Sequence, residues 1–304
     1  MISYNHEKYI ARALNSVLMQ KVDFEYEIVI GEDCSTDKTR EIVSEYKNLY
    51  PGKIKLLLND LNIGAVRNFV VTYEACVGEY IATLEGDDYW TSPDKLQEQV
   101  NFMENHPAFV MCFTNSNIVD EHDNIVKEDR LGEDRKKNIT QIEIVSGLVP
   151  PINTLVFRNN TVKNIPDAYY TVINGDILFC SMLAEYGDAA YIDKYTASYR
   201  IHGGGIWSHQ PEQYIKKNLL KTWTALLNIY SRKYQYILMP IVRGYYFTLM
   251  EYYKENNMIS KYVMTFFYYA FNDIRYREFS FVCKTRYFFD NLLVILRNKV
   301  LLRS

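Results

Sequence analysis

The sequence predicts an α/β fold, a mixed sheet flanked by helices and followed by a helical appendage. Short apolar runs of strand character alternate with helical periodicity through the first two thirds of the chain. Polar and acidic clusters follow several of those runs, at the strand ends where open α/β sheets bind ligands. Beyond His209 the pattern becomes helical and rich in tyrosine and phenylalanine, without strand alternation.

Tyr9, Ile10, Ala13, Leu14, Val17 and Leu18 recur at helical spacing and predict a helix ending near Gln20. Residues 25–31 (EYEIVIG) read as a buried strand, and a helix over 38–50 is stopped by Pro51-Gly52. A strand at 54–58, a turn at Asn62-Ile63-Gly64, a helix over 65–77 and a strand at 80–84 follow. Ser92 and Pro93 form a helix start, with Ser92 as N-cap and Pro93 in the first helical position. A strand is expected at 109–114. The polar stretch 119–142 reads either as an excursion over the active site or as a disordered surface loop. A strand at 154–157, a helix over 176–186 closed by Gly187, and two strands at 189–192 and 197–201 complete the α/β part.

The 304 residues are 48% hydrophobic and 23% charged, which supports one large domain or a domain with an appendage and argues against wholesale disorder. The predicted division is 1–209 and 210–304. From Gln210 onward 15 Lys and Arg face 6 Asp and Glu, whereas the preceding part has 19 against 31. An acidic front and a basic back suggest different tasks. Five widely spaced cysteines without a C-x-x-C pair indicate free thiols in a reducing compartment. The chain opens on polar residues rather than a signal sequence, and its longest charge-free apolar stretch, 262–271, is about half of the ~20 residues a spanning helix needs. The expected location is cytoplasmic.

Three polar clusters, Ser3-Tyr4-Asn5, Glu32-Asp33-Cys34-Ser35 and Glu85-Gly86-Asp87-Asp88, are expected at strand ends. The third is the most informative. Its three carboxylates repel one another and need strong donors or a cation, for which a hard divalent ion bridging to substrate phosphates is the natural partner. A solvated acidic turn ahead of the next helix is the other reading.

The order Ser3-Tyr4-Asn5, EIVI with Glu32 through Thr39, Asn62-Ile63-Gly64 through Arg67-Asn68, then Glu85-Gly86-Asp87-Asp88 resembles the family-2 bacterial glycosyltransferases of GT-A fold. The resemblance covers about residues 1–205. It implies transfer of a sugar, hexosyl in type, from a nucleotide-diphospho-sugar, a UDP-sugar first among them. The acceptor would be a glycan or lipid-linked hydroxyl in cell-surface polysaccharide or glycolipid synthesis, with inversion; nucleic acid is not an expected partner. Ser3, Tyr4 and Asp33 match the positions that hold the nucleotide base, with Ser35 shaping the turn, and Arg67 the one that approaches the diphosphate; capping and dipole pairing at the following helix is the other reading for Asp33. Asp87 matches the ligand of Mg²⁺ or Mn²⁺, and Glu85 stands where an acid meets the ribose or a metal-bound water. Asp176, in Asn174-Gly175-Asp176, matches the catalytic base, with an ordinary acid of a helix N-terminus as the alternative. In Tyr199-Arg200-Ile201-His202, Arg200 is expected to pair with the diphosphate and His202 to complete the metal shell, a surface histidine beside a glycine loop being the other reading.

The sequence departs from the family pattern at its start. Only Met1-Ile2 precede Ser3, so the strand beside EIVI is expected to be short or absent. In the tail, Leu292, Leu293, Ile295, Leu296, Val300 and Leu301 with Arg297, Lys299 and Arg303 predict an amphipathic helix able to lie on the anionic inner face of a membrane, tail helices packed on the catalytic domain with solvated cations being the other reading. No G-x-G-x-x-G follows the first strand, which argues against a dinucleotide dehydrogenase. A non-catalytic nucleotide-sugar-binding or partner-binding protein is the alternative function on this fold.

Overall fold

The structure, a computed structural model, describes residues 1–205, 210–230, 232–275 and 291–292, with the side chains of 272–275 outside the description. The chain divides into two units, Met1–Ser208 and His209–Ser304.

The first unit opens with β1 (Ile2–Ser3), α1 (Ile10–Leu18), β2 (Ile28–Glu32), α2 (Thr39–Leu49) and β3 (Ile54–Leu58). The three strands form one parallel sheet in the order β1-β2-β3. All five residues of β2 are buried, as expected of a parallel strand covered on both faces. Ile10, Ala13, Leu14 and Val17 put the apolar stripe of α1 into a core with Ile28, Ile30, Val43, Ile54 and Leu84. Helix α3 (Ala65–Glu74) then lies against β2. A Cβ on Gly31 would stand 2.0 Å from Thr72 Oγ1, so only glycine permits this approach, and Asn68 Nδ2 donates to the Gly31 carbonyl at 2.8 Å.

The chain continues through β4 (Tyr80–Ala82), β5 (Tyr89–Trp90), α4 (Lys95–Asn105), β6 (Phe109–Val119), β7 (Ile125–Lys127), α5 (Gln141–Val145), β8 (Val156–Arg158), α6 (Gly175–Leu183) and β9 (Asp188–Arg200). A second, mixed sheet has the order β4-β8-β6-β9-β5, with β7 on β6. The two sheets are joined by the isolated bridge Ile2↔Glu85 and the bond from Gly86 N to the Ile2 carbonyl at 3.0 Å. Beside that junction lies an apolar cavity of about 430 Å³, lined by Met1, Ile28, Tyr73, Tyr80, Leu84 and Trp90 among others.

Three local expectations are corrected. Helix α4 begins at Lys95, and Asp94 rather than Ser92 occupies its N-cap. Strand β6 runs on to Val119 and is followed by β7, so part of the polar stretch is paired sheet. The two expected strands at 189–192 and 197–201 are one, because β9 takes up its pairing with β6 again at Tyr195 after a shift of register over Ile192-Asp193-Lys194. Polar side chains interrupt the apolar pattern at this irregularity, and the ladder with β6 resumes beyond it.

In the second unit, α7 (Glu212–Ile229) packs on α8 (Gln235–Glu255), and α8 on α9 (Ile259–Arg275). Trp223, Leu226, Leu238, Val242, Leu249, Met250, Tyr253 and Tyr262 are buried, so many of the tail's aromatic residues are core. No helix among the described residues is long and apolar enough to cross a membrane. The expected amphipathic helix from Leu292 onward lies essentially outside the described residues. Cys112 and Cys180 are buried free thiols, whereas Cys34 and Cys76 are partly exposed.

Candidate active site

The acidic turn after β4 crosses the carboxyl end of β1. Gly86 makes that crossing possible: a Cβ there would lie 2.7 Å from Ser3 Oγ and 2.8 Å from His6 Nδ1. Asp87 therefore meets the first turn of the chain and the end of β9 together. Its Oδ2 lies 3.0 Å from His202 Nε2 and 3.6 Å from His6 Nε2. Its Oδ1 is buried without a hydrogen-bond partner. Ser3 Oγ holds His6 Nδ1 at 3.2 Å, and the Gly204 N–H reaches His202 Nδ1 at 3.3 Å. One donor atom from each of His6, Asp87 and His202 lies within 4.8 Å of the others, and these residues are able to hold a metal ion. A buried carboxylate oxygen left unpaired beside two imidazoles fits a divalent cation.

The neighbouring acids respond to this crowding. Burial pushes the Glu85 carboxyl up to about 8, with the Asp87 and Asp176 charges adding to the effect. Burial, then Asp87 and Glu85, raises Asp88 well above the ordinary carboxylate range. Burial also pulls Asp87 upward, but the His202 hydrogen bond and the charges of His6 and His202 outweigh it and hold Asp87 below its ordinary value. The negative charge of the turn thus concentrates on Asp87. Arg130 supplies positive charge to Glu85, Asp88 and Asp176, held by a bond from Nη1 to Asn153 Oδ1 at 2.9 Å and stacked 3.8 Å from the Tyr199 ring centroid.

The expected base-binding residues collect beyond β1 and β2. Ser35 Oγ accepts from the Asn5 N–H at 3.0 Å, and Tyr4 is exposed beside them. Asp33 is buried, accepting from Asn59 Nδ2, Ile63 N and Gly64 N at 2.9 Å each. It closes the turn that leads into α3. Arg67 is exposed in the first turn of α3, its guanidinium 4.9 Å from the Tyr170 ring centroid. Asp176 opens α6 with its side chain accessible to solvent, and its charge reaches Glu85.

Arg200 departs from expectation. It is 3% exposed; Nε donates to the Asp87 carbonyl at 2.9 Å, Nη1 to the Asp120 carbonyl at 2.9 Å and Nη2 to Asp123 Oδ1 at 2.6 Å. Its backbone N–H also binds Asp88 Oδ1 at 2.8 Å. The guanidinium clamps the acidic turn to the 120–123 loop. His6 and Arg130 were missed. His6 directly follows the Ser3-Tyr4-Asn5 cluster, and Arg130 belongs to the polar stretch expected over the site.

Comparisons with known proteins bear on the fold and the family. The description "Glycosyl transferase family 2" matches residues 1–158. An uncharacterized protein of Mycobacterium tuberculosis is 33% identical over 206 residues, covering 68% of this chain and 59% of that protein. An uncharacterized glycosyltransferase of Nostoc is 29% identical over 209 residues, with 66% and 63% covered. The chain thus spans about three fifths of the length of these relatives. Among solved structures, the 1–349 segment of Staphylococcus aureus TarS superposes with a TM-score of 0.56 at 22% identity, over 75% of this chain and 64% of that one. The mannosyltransferase PcManGT of Pyrobaculum calidifontis, in complex with GDP-Man and Mn²⁺, gives 0.58 at 13%, over 98% and 85%. These likenesses establish a GT-A fold, and the match over just over half of its length places this chain in glycosyl transferase family 2.

Proposed function

We propose that the protein transfers a sugar, hexosyl in type, from a nucleotide-diphospho-sugar to an acceptor hydroxyl with inversion, in the synthesis of a surface polysaccharide or glycolipid. One observation carries the reading: Asp87, charged and with a buried unpaired oxygen, faces two imidazoles at the strand ends of a family-2 fold. The similar structures of TarS in complex with UDP-GlcNAc and of PcManGT in complex with GDP-Man support a nucleotide-sugar donor, a UDP-sugar first.

Asp87 and His202 would hold Mg²⁺ or Mn²⁺. When bound, the cation supplies positive charge to the diphosphate as it leaves. Tyr4, with its exposed ring, and Asp33 bound the base pocket, while Ser3 and Ser35 fix its turns. Arg67, exposed at the N-terminal end of α3, meets phosphate oxygens from a helix end that itself favours anions. Asp176 accepts the acceptor's hydroxyl proton while the oxygen bonds to the anomeric carbon and the bond from that carbon to the diphosphate oxygen breaks. Arg200 acts by position, fixing the Asp87 backbone. The acceptor is a glycan or lipid-linked hydroxyl, and the basic second unit attaches the protein to an anionic membrane surface.

Metal-dependent hydrolysis across a panel of sugar nucleotides tests the reading. We expect one donor to release nucleoside diphosphate with Mn²⁺ and not with chelator; a protein that binds donors without ever cleaving one would be a binding module instead.

A further inference from the structure

We propose that His6 is a third protein ligand of the cation, beside Asp87 and His202, and that the two imidazoles make the site favour first-row transition-metal ions over Mg²⁺. The inference rests on the glycosyl-transfer reading for the presence of a cation, and adds a ligand and an ion preference to it.

The position of His6 is not explained by hydrogen bonding to Asp87. Its Nε2 stands 3.6 Å from Asp87 Oδ2, too far for a hydrogen bond, yet both its ring and its backbone are held in place. Ser3 Oγ holds Nδ1 at 3.2 Å, and Thr39 Oγ1 accepts from the His6 backbone N–H at 2.7 Å. Gly86 leaves the space, since any Cβ would lie 2.8 Å from Nδ1. Anchoring one ring nitrogen through a neighbouring oxygen is how ligating histidines are oriented, and in the tautomer with the proton on Nδ1 the Nε2 lone pair is presented. Here Nε2 faces the same carboxylate oxygen that His202 Nε2 reaches at 3.0 Å.

The spacing suits one ion. Bonds of about 2.0–2.2 Å from a cation to nitrogen and oxygen donors put neighbouring donors about 3 Å apart. The separations of 3.0 and 3.6 Å from Asp87 Oδ2 are of this order. The unpartnered Asp87 Oδ1 is a second, independent sign of a missing positive partner. Two imidazoles and one carboxylate also discriminate between ions. Mg²⁺ demands oxygen donors and keeps its waters, whereas imidazole suits the transition metals.

The test uses the full chain and the metal alone. Mn²⁺ binding is followed by electron paramagnetic resonance and calorimetry, with Mg²⁺ as competitor, for wild type, His6→Ala and His6→Gln. We expect Mn²⁺ to bind at least about tenfold tighter than Mg²⁺, and loss of His6 to weaken Mn²⁺ by about tenfold or more, leaving Mg²⁺ within about twofold. Spin-echo modulation should show two imidazole nitrogens on Mn²⁺ in wild type and one in His6→Gln, with circular dichroism confirming the fold. Unchanged Mn²⁺ affinity and two nitrogens in His6→Gln would overturn the proposal, as would one nitrogen in wild type. Sugar-nucleotide hydrolysis separates this from the activity: cleavage with a one-nitrogen signal removes His6 alone, and a two-nitrogen signal without cleavage of any donor removes only the enzyme reading.

Discussion

A carboxylate between two imidazoles, with one oxygen buried and unpaired, is costly unless something positive completes it. Asp87→Ala should therefore remove metal-dependent nucleotide binding and lower transfer by at least about 100-fold, read by calorimetry and by nucleoside diphosphate release. Asp176→Asn should lower transfer by about 10²–10⁴-fold while nucleotide binding persists, because a general base acts on the acceptor and not on the donor. Unchanged transfer in Asp176→Asn would remove that assignment. The acidic turn itself was legible because Glu85, Asp87 and Asp88 crowd four consecutive positions of the sequence. His6 was not, since its meaning comes from Asp87 and His202, far along the chain. The anchoring of Arg200 was hidden for the same reason: its acceptors at 87, 120 and 123 converge only in the folded protein.

Helix α4 carries Lys95 at its start with the side chain fully buried, its Nζ 2.5 Å from Gln99 Oε1 and 4.3 Å from the Trp90 ring centroid. Burial lowers this ammonium to about 7. The unfolded chain then holds a proton that the folded chain lacks at pH values above about 7 and below the ordinary lysine range, so this group makes stability rise with pH across that window. Chemical denaturation of wild type and Lys95→Met between pH 7 and 9 should show the rise in wild type and a flatter profile in the variant; parallel profiles would contradict it. The contact of α3 with β2 gives a second prediction. Gly31→Ala forces a Cβ against Thr72 Oγ1 and should destabilise by about 1–3 kcal/mol, measured as a lower denaturation midpoint. Strand β3 was legible to the residue, because its apolar run is bounded by clear turns. Strand β9 was read as two, since the polar residues at 193–195 coincide with a real shift in its register, while the pairing with β6 that resumes beyond it is invisible in one sequence.

For the whole chain, the charge asymmetry maps onto the two units, with the positive excess in the helical one. Co-sedimentation with anionic vesicles should be strong for the full chain, fall with added salt, and be lost in a chain ended before Gln210. Equal sedimentation of both would place any membrane contact elsewhere. The GT-A architecture was legible from alternating elements and four ordered polar clusters, but the division into two sheets joined at Ile2 and Glu85 was not. That division depends on which strands pair, which short strands such as β1 do not announce. The central claim is that this fold uses Asp87 to cleave a nucleotide sugar. Its most direct test is Mn²⁺-dependent release of nucleoside diphosphate from a donor panel by wild type and Asp87→Ala. Release from one donor by wild type, abolished by chelator and by Asp87→Ala, is the predicted result. Equal release by both proteins, or by wild type without any divalent ion, would contradict it.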